Sequence, residues 1–129
     1  MGYTISTEVD APFDDVVEQV VSELEEEGFG VLCDVDVQAT FEKKLNVEYD
    51  RYRILGACNP GLAHQGLEAE PNLGALLPCN VVVYERDGSV VVAAVDPQAL
   101  LAVTENPELD DLGDEVHERF QRVVDSLNA

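Results

Sequence analysis

Residues 80–95 read NVVVYERDGSVVVAAV, two runs of β-branched side chains set around Arg-Asp-Gly, and no other stretch of the chain limits its fold as much. Runs of this kind joined by so short a turn pair as an antiparallel hairpin, because Asp and Gly tolerate the left-handed backbone the turn requires. Residues 80–85 and 89–95 are therefore expected strands, 86–88 the turn, and Asp96-Pro97 the stop. The segment SVVVAAV is hazardous if it lies at an exposed sheet edge, so a homodimer that buries it is expected.

The remaining periodicity supplies the elements around this hairpin. Residues 3–9 alternate and read as an opening strand. Asp10 looks like a helix N-cap ahead of Pro12, and Phe13, Val16, Val17, Val20, Val21 and Leu24 fall at helical spacing, with Gly28 after the acidic run 25–27. Residues 29–35 read as a second strand with Val31 and Cys33 on one face and Leu32 on the other. A short helix over 36–45 capped by Asp36, a strand over 49–57, a helix over 60–68 and a loop at 71–74 follow. Residues 98–103 read as a helical turn, 105–113 as acidic loop, and 114–127 as a closing helix through Val116, Phe120, Val123, Val124 and Leu127. The fold class is α+β: one domain over residues 1–129, with helices packed on one face of a mainly antiparallel sheet.

Charge limits the function classes. Twenty-seven acids face seven Lys and Arg, a formal charge of −20, while 46% of residues are apolar, too many for a disordered acidic chain. Such self-repulsion calls for concentrated salt, as in a halophilic cytoplasm. No basic stripe exists to neutralise phosphates, which argues against nucleic acid. No apolar run approaches the ~20 residues needed to span a bilayer, which argues against a membrane partner. MGYTIS is a chance match to a myristoylation pattern, no secretory leader is expected, and three cysteines in a reducing cytoplasm are read as free thiols.

The candidate chemistry lies in a repeated Cys-Asn. ILGACNP and LLPCNV each put a thiol at the edge of an apolar run beside a proline, so Cys58, Asn59, Cys79 and Asn80 are the candidate ligand-binding residues. A strand ending at Cys58 beside one starting near Cys79 sets two thiols at one sheet edge. Two thiolates suit a soft metal ion such as Cu(I) or Zn, with His64 as the candidate third metal ligand beside Cys58 and Cys79. Closely spaced Cys pairs and a fourth ligand are missing, and two buried core cysteines fit the same spelling. Cys33, inside an alternating strand, is assigned to the core. His64 and His117 lie on expected helices without a nucleophile motif. Neither GxGxxG nor GxxxxGK[ST] occurs, so nucleotide binding has no signature.

The order EVDAPFDDVVEQVVSELEEEGFGVLCDVDVQATFEKKL, then YRILGACNP with Ala63, then LGALLPCNVVVYERDGSVVVAAVDP, resembles the DUF302 family over nearly the whole chain. The resemblance implies a TBP-like α+β fold, frequent homodimers and no established activity, so no catalytic residue carries over. Many members carry Gly before the Asn-Pro turn and an aliphatic residue after Leu-Pro. Here Cys58 and Cys79 stand at both places, as in the family's cysteine-bearing branch, and their joint change favours a paired role. Three readings follow: a cytosolic binding or sensing domain whose cysteine pair takes a thiol-reactive ligand or soft metal, a dimerising domain with inert cysteines, and, weakest because CxxC is absent and an acidic surface disfavours thiolates, a thiol redox enzyme.

Overall fold

A computed structural model describes residues 2–128. The chain runs β1 (Thr4–Val9), α1 (Phe13–Glu26), β2 (Gly30–Asp36), α2 (Val37–Leu45), β3 (Tyr52–Cys58), α3 (Pro60–Ala69), β4 (Cys79–Arg86), β5 (Ser89–Val95), α4 (Pro97–Ala102) and α5 (Asp110–Ser126). Short 3-10 helices at Pro71–Leu76 and Pro107–Leu109 lead into β4 and α5. Met1 and Ala129, the ends of the expected domain, lie outside the described residues.

The strands form one sheet in the order β1-β5-β4-β3-β2, with every neighbouring pair antiparallel. The hairpin closes at Arg86 opposite Ser89, leaving a loop of Asp87 (φ 53°) and Gly88 (φ 82°). Two positive φ values in a two-residue loop match the right-handed twist of the flanking strands. SVVVAAV, however, is no edge: β5 is hydrogen-bonded to β4 on one side and to β1 on the other, with Thr4 opposite Val95. The edges are β1 and β2, so an exposed β5 edge gives no reason for dimerisation.

Helices α1 and α5 cover one face of the sheet. In α1 the expected stripe is the buried one: Phe13, Val16, Val17, Val20 and Leu24. The N-cap is Pro12 rather than Asp10, and it makes no side-chain capping bond. At the far end Gly28 N donates to Glu25 O and Phe29 N to Leu24 O, a reversal closed by Gly28 at φ +87°. This left-handed step is cheap only for glycine, and it delivers Phe29 into the core against Phe120 of α5, with ring centroids 4.9 Å apart. Val83 and Val92 of the central strands, Leu55 of β3, and Val16, Val20 and Leu24 of α1 are fully buried between the layers. Asp36 caps α2 as expected, accepting from Ala39 N at 2.9 Å.

Helix α5 starts earlier than the periodicity indicated. The Asn106 side chain accepts from Glu108 N, Pro107 occupies the first turn, and Leu109 buries in a second small cluster with Leu73 and Leu101. That anchor makes residues 107–113 helical where acidity alone read as loop.

Candidate functional site

Strands β3 and β4 bring the two Cys-Asn segments together. Cys58 is the last residue of β3 and Cys79 the first of β4, and Ala57 is the direct partner of Cys79 across the ladder. Strict alternation would turn Cys58 away from Cys79. At the strand end, where the chain leaves the sheet for α3, both residues instead line one pocket of about 50 Å³. Its walls come from α3, the 3-10 helix before β4, α4 and α5, through residues such as Leu62, Leu73, Leu101 and Val116. The Asn59 amide and the two thiols are the only polar side-chain groups among the lining residues, and none of these residues is charged.

Burial pushes the Cys79 thiol up to about 11, with negative charge on Cys58 a smaller cause in the same direction. Near neutrality Cys79 is therefore a protonated, apolar-facing thiol, and the two sulfurs lie within each other's field. Asn59 caps α3, its Oδ1 accepting from Leu62 N at 3.2 Å, so its carbonyl is engaged in fixing the helix start beside Cys58.

The other candidate residues lie elsewhere. Asn80 pairs with Gly56 and is exposed on the opposite face of the sheet, so it does not reach the thiol pocket. His64 points from the outer side of α3 into solvent, 3.4 Å from Glu68, because α3 turns its other side to the pocket. The Cys58, Cys79 and His64 ligand set is thus not assembled, and among the described residues no group of three His, Cys, Asp or Glu is placed to hold a metal ion. His117 Nδ1 lies 3.1 Å from Asp96 Oδ1, and the same carboxylate oxygen accepts from Gln98 N at the start of α4.

Cys33 overturns its core assignment, for it is exposed. The register slips between Val31, opposite Ala57, and Cys33, opposite Gly56, so a bulge at Leu32 sends Val31 inward and Cys33 to the open face. There its sulfur crowds Gly56: a Cβ on Gly56 would lie 2.5 Å from Cys33 Sγ and 2.7 Å from Pro78 Cγ.

That open face is the feature the sequence reading missed. Helix α2 lies over the β3 end of this face, its Phe41 lining a hollow with Tyr52 and Ile54, and beside it the outward side chains of the central strands line a groove of about 430 Å³ with Tyr52, Val82, Tyr84, Val91, Ala93 and Val95 among its walls. All four tyrosines gather on this side: Tyr52 stacks on Tyr84 at 5.2 Å, Tyr49 lies 6.5 Å from Tyr52, and Tyr3 joins the groove wall. Burial, followed by the fields of Tyr84, Tyr49 and Tyr3, raises the Tyr52 hydroxyl above its ordinary value. No charged residue lines the groove, although 27 of the chain's 129 residues are acidic. The signal was present in the continuous valine runs, since a strand apolar at every position has two apolar faces. Pro78 borders both the groove and the thiol pocket.

A five-stranded antiparallel sheet with α1 and α5 on one face and a thiol pocket at the ends of β3 and β4 defines a class of small α+β domain. The solved structure of a DUF302 protein from Bacillus stearothermophilus, titled an uncharacterized conserved protein, superposes with a TM-score of 0.93 at 25% identity, covering 99% of this chain and 100% of that one. The family model described as a domain of unknown function, DUF302, matches residues 5–127, and the chain belongs to that family. No curated protein matches it. No helix among the described residues is long and apolar enough to cross a membrane.

Proposed function

We propose that this chain is a one-domain binding or sensing protein whose Cys58 and Cys79 pocket takes a small thiol-reactive ligand. The observation that carries the reading is that two cysteines 21 positions apart in the chain line a single uncharged pocket. A soft ion such as Cu(I) or Zn is the less favoured occupant, because only two soft donors line the pocket and most metal sites need more. Brief iodoacetamide treatment of the native chain, mapped by peptide mass, tests the proposal: Cys58 is expected to label in the fold. Labelling of Cys58 only after unfolding would support the reading of inert cysteines. A native mass spectrum of anaerobically purified protein reads any retained metal directly.

A second reading, a homodimer, is favoured by the open face. A chain of charge −20 repels its copies everywhere except where charge is missing. Five strands at about 4.8 Å spacing give a face about 24 Å wide and roughly 500 Å² in projection, to which Phe41 of α2 and Tyr49 add, against about 800 Å² per partner in a standard interface. Light scattering in molar salt is expected to give twice the 14.1 kDa chain mass, and Tyr84→Glu to return it to one chain. A wild-type monomer sinks this reading.

A further inference from the structure

Cys58 and Cys79 differ in their surroundings, and the difference assigns them different roles. Cys58 ends β3 one residue before the N-cap of the ten-residue helix α3, at the point where the chain leaves the sheet. Cys79 lies in the apolar part of the pocket, where charge is disfavoured and a neutral thiol is held in reserve. Ala57 is opposite Cys79, at about 5 Å between Cα atoms in an antiparallel ladder, and the next residue along β3 is one rise of about 3.4 Å further. That puts the Cα atoms of Cys58 and Cys79 roughly 6 Å apart, inside the window of about 4.4–6.8 Å for a disulfide, and at the strand end, where alternation breaks, both residues line the same pocket.

The pocket also selects its reagent. The pocket is small, about 50 Å³, and its lining is apolar apart from Asn59 and the two thiols. The lining has no cation to hold an anionic disulfide or thiosulfate-like oxidant, and the field of a −20 chain repels both. A small uncharged oxidant meets neither barrier.

Resting on the paired-thiol reading above, we propose that the pocket is a hydroperoxide-reactive dithiol, with Cys58 the attacking and Cys79 the resolving sulfur. Cys58 gives its proton to solvent and its sulfur attacks one peroxide oxygen. The O–O bond breaks, the other oxygen leaves as water or alcohol after taking a proton, and Cys58 becomes a sulfenic acid. The Cys79 sulfur then attacks Cys58, the S–O bond breaks, and the Cys79 proton departs with the hydroxyl as water. Two thiols are oxidised by two electrons to one disulfide, one peroxide is reduced, and a dithiol reductant reverses the change by exchange. The disulfide is uncharged, in keeping with a lining that holds no charged residue.

The test treats the full chain in molar salt with hydrogen peroxide and follows its mass. The expected product is lighter by two hydrogens, maps to a Cys58–Cys79 link and leaves Cys33 reduced. Cys79→Ser is expected to halt at a dimedone-trappable sulfenic acid on Cys58, and Cys58→Ser to slow peroxide consumption at least tenfold with its far-UV spectrum unchanged. Mapping of the wild-type product needs no variant to fold. Iodoacetamide labelling of Cys58 without a peroxide-driven link overturns this inference and leaves the binding reading standing. Failure of both reagents overturns both, and a product carried on Cys33 overturns the assignment of roles.

Discussion

The protonated state of Cys79 has a measurable cost at alkaline pH. In the fold its thiol titrates at about 11, against 9.0 for an unburied cysteine, with burial the larger cause and the charge of Cys58 the smaller. Between those values the native state binds a proton the unfolded chain has released, so this contribution to stability is complete below pH 9 and is lost as pH rises toward 11. Two pH units at about 1.36 kcal/mol each give roughly 2–3 kcal/mol. Urea unfolding of wild type and Cys79→Ala at steps across that range is the assay. The gap between the two proteins is expected to narrow or reverse by about that amount, whatever its size at pH 8. Because burial leads, Cys58→Ser is expected to move the iodoacetamide pH profile of Cys79 only slightly. Parallel pH dependence in wild type and Cys79→Ala, or a Cys79 profile centred near 9, would refute the placement of this thiol in an apolar pocket.

Other substitutions and conditions test separate parts of the structure. Gly56→Ala is expected to destabilise by about 1–3 kcal/mol in urea melts. Exposed Cys33 can swing away but the Pro78 ring cannot, so adding Cys33→Ala should recover little of this; full recovery would show that Pro78 yields. Asn59→Ala removes the α3 cap and should cost about 1 kcal/mol while altering the Cys58 alkylation rate, and no change in either measurement would count against the cap positioning this sulfur. With a charge of −20, the melting temperature should fall as the Debye length grows from about 3 Å at 1 M salt to about 10 Å at 0.1 M, and a constant melt would remove the halophilic reading.

Elements with one strong period were legible in the sequence. The stripe of α1, the Asp36 cap, the Asp87-Gly88 hairpin and the closing helix each follow from side-chain spacing and turn chemistry acting within a few residues. What escaped depends on a partner strand. The bulge at Leu32 is set by pairing with β3, and it alone sends Cys33 outward, so alternation within β2 gave the wrong face. Asn59 and Asn80 share a spelling, yet one closes a helix start at the pocket and the other follows Cys79 onto the opposite face, because each strand residue reverses the direction of the one before it. The meeting of Cys58 with Cys79 was legible as two strand ends. The walls that close a pocket around them come from Leu73, Leu101 and Val116, which no local pattern links to the thiols.

The strand order also governs how the chain can fold during synthesis. β1 leaves the ribosome first, but its sheet partner is β5, with Thr4 opposite Val95, and helix α5 that seals the same layer comes later still. The nascent chain must therefore hold β1 and the apolar stripe of α1 unsatisfied until most of its length has been made. Local pairs such as β2 with β3 and β4 with β5 can form along the way, but closing β1 onto β5 spans the largest loop in the sheet and carries the largest entropic cost. Through that wait, the glutamates that flank the stripe in α1 keep growing chains apart, so the acidity of the finished surface also serves the unfinished one.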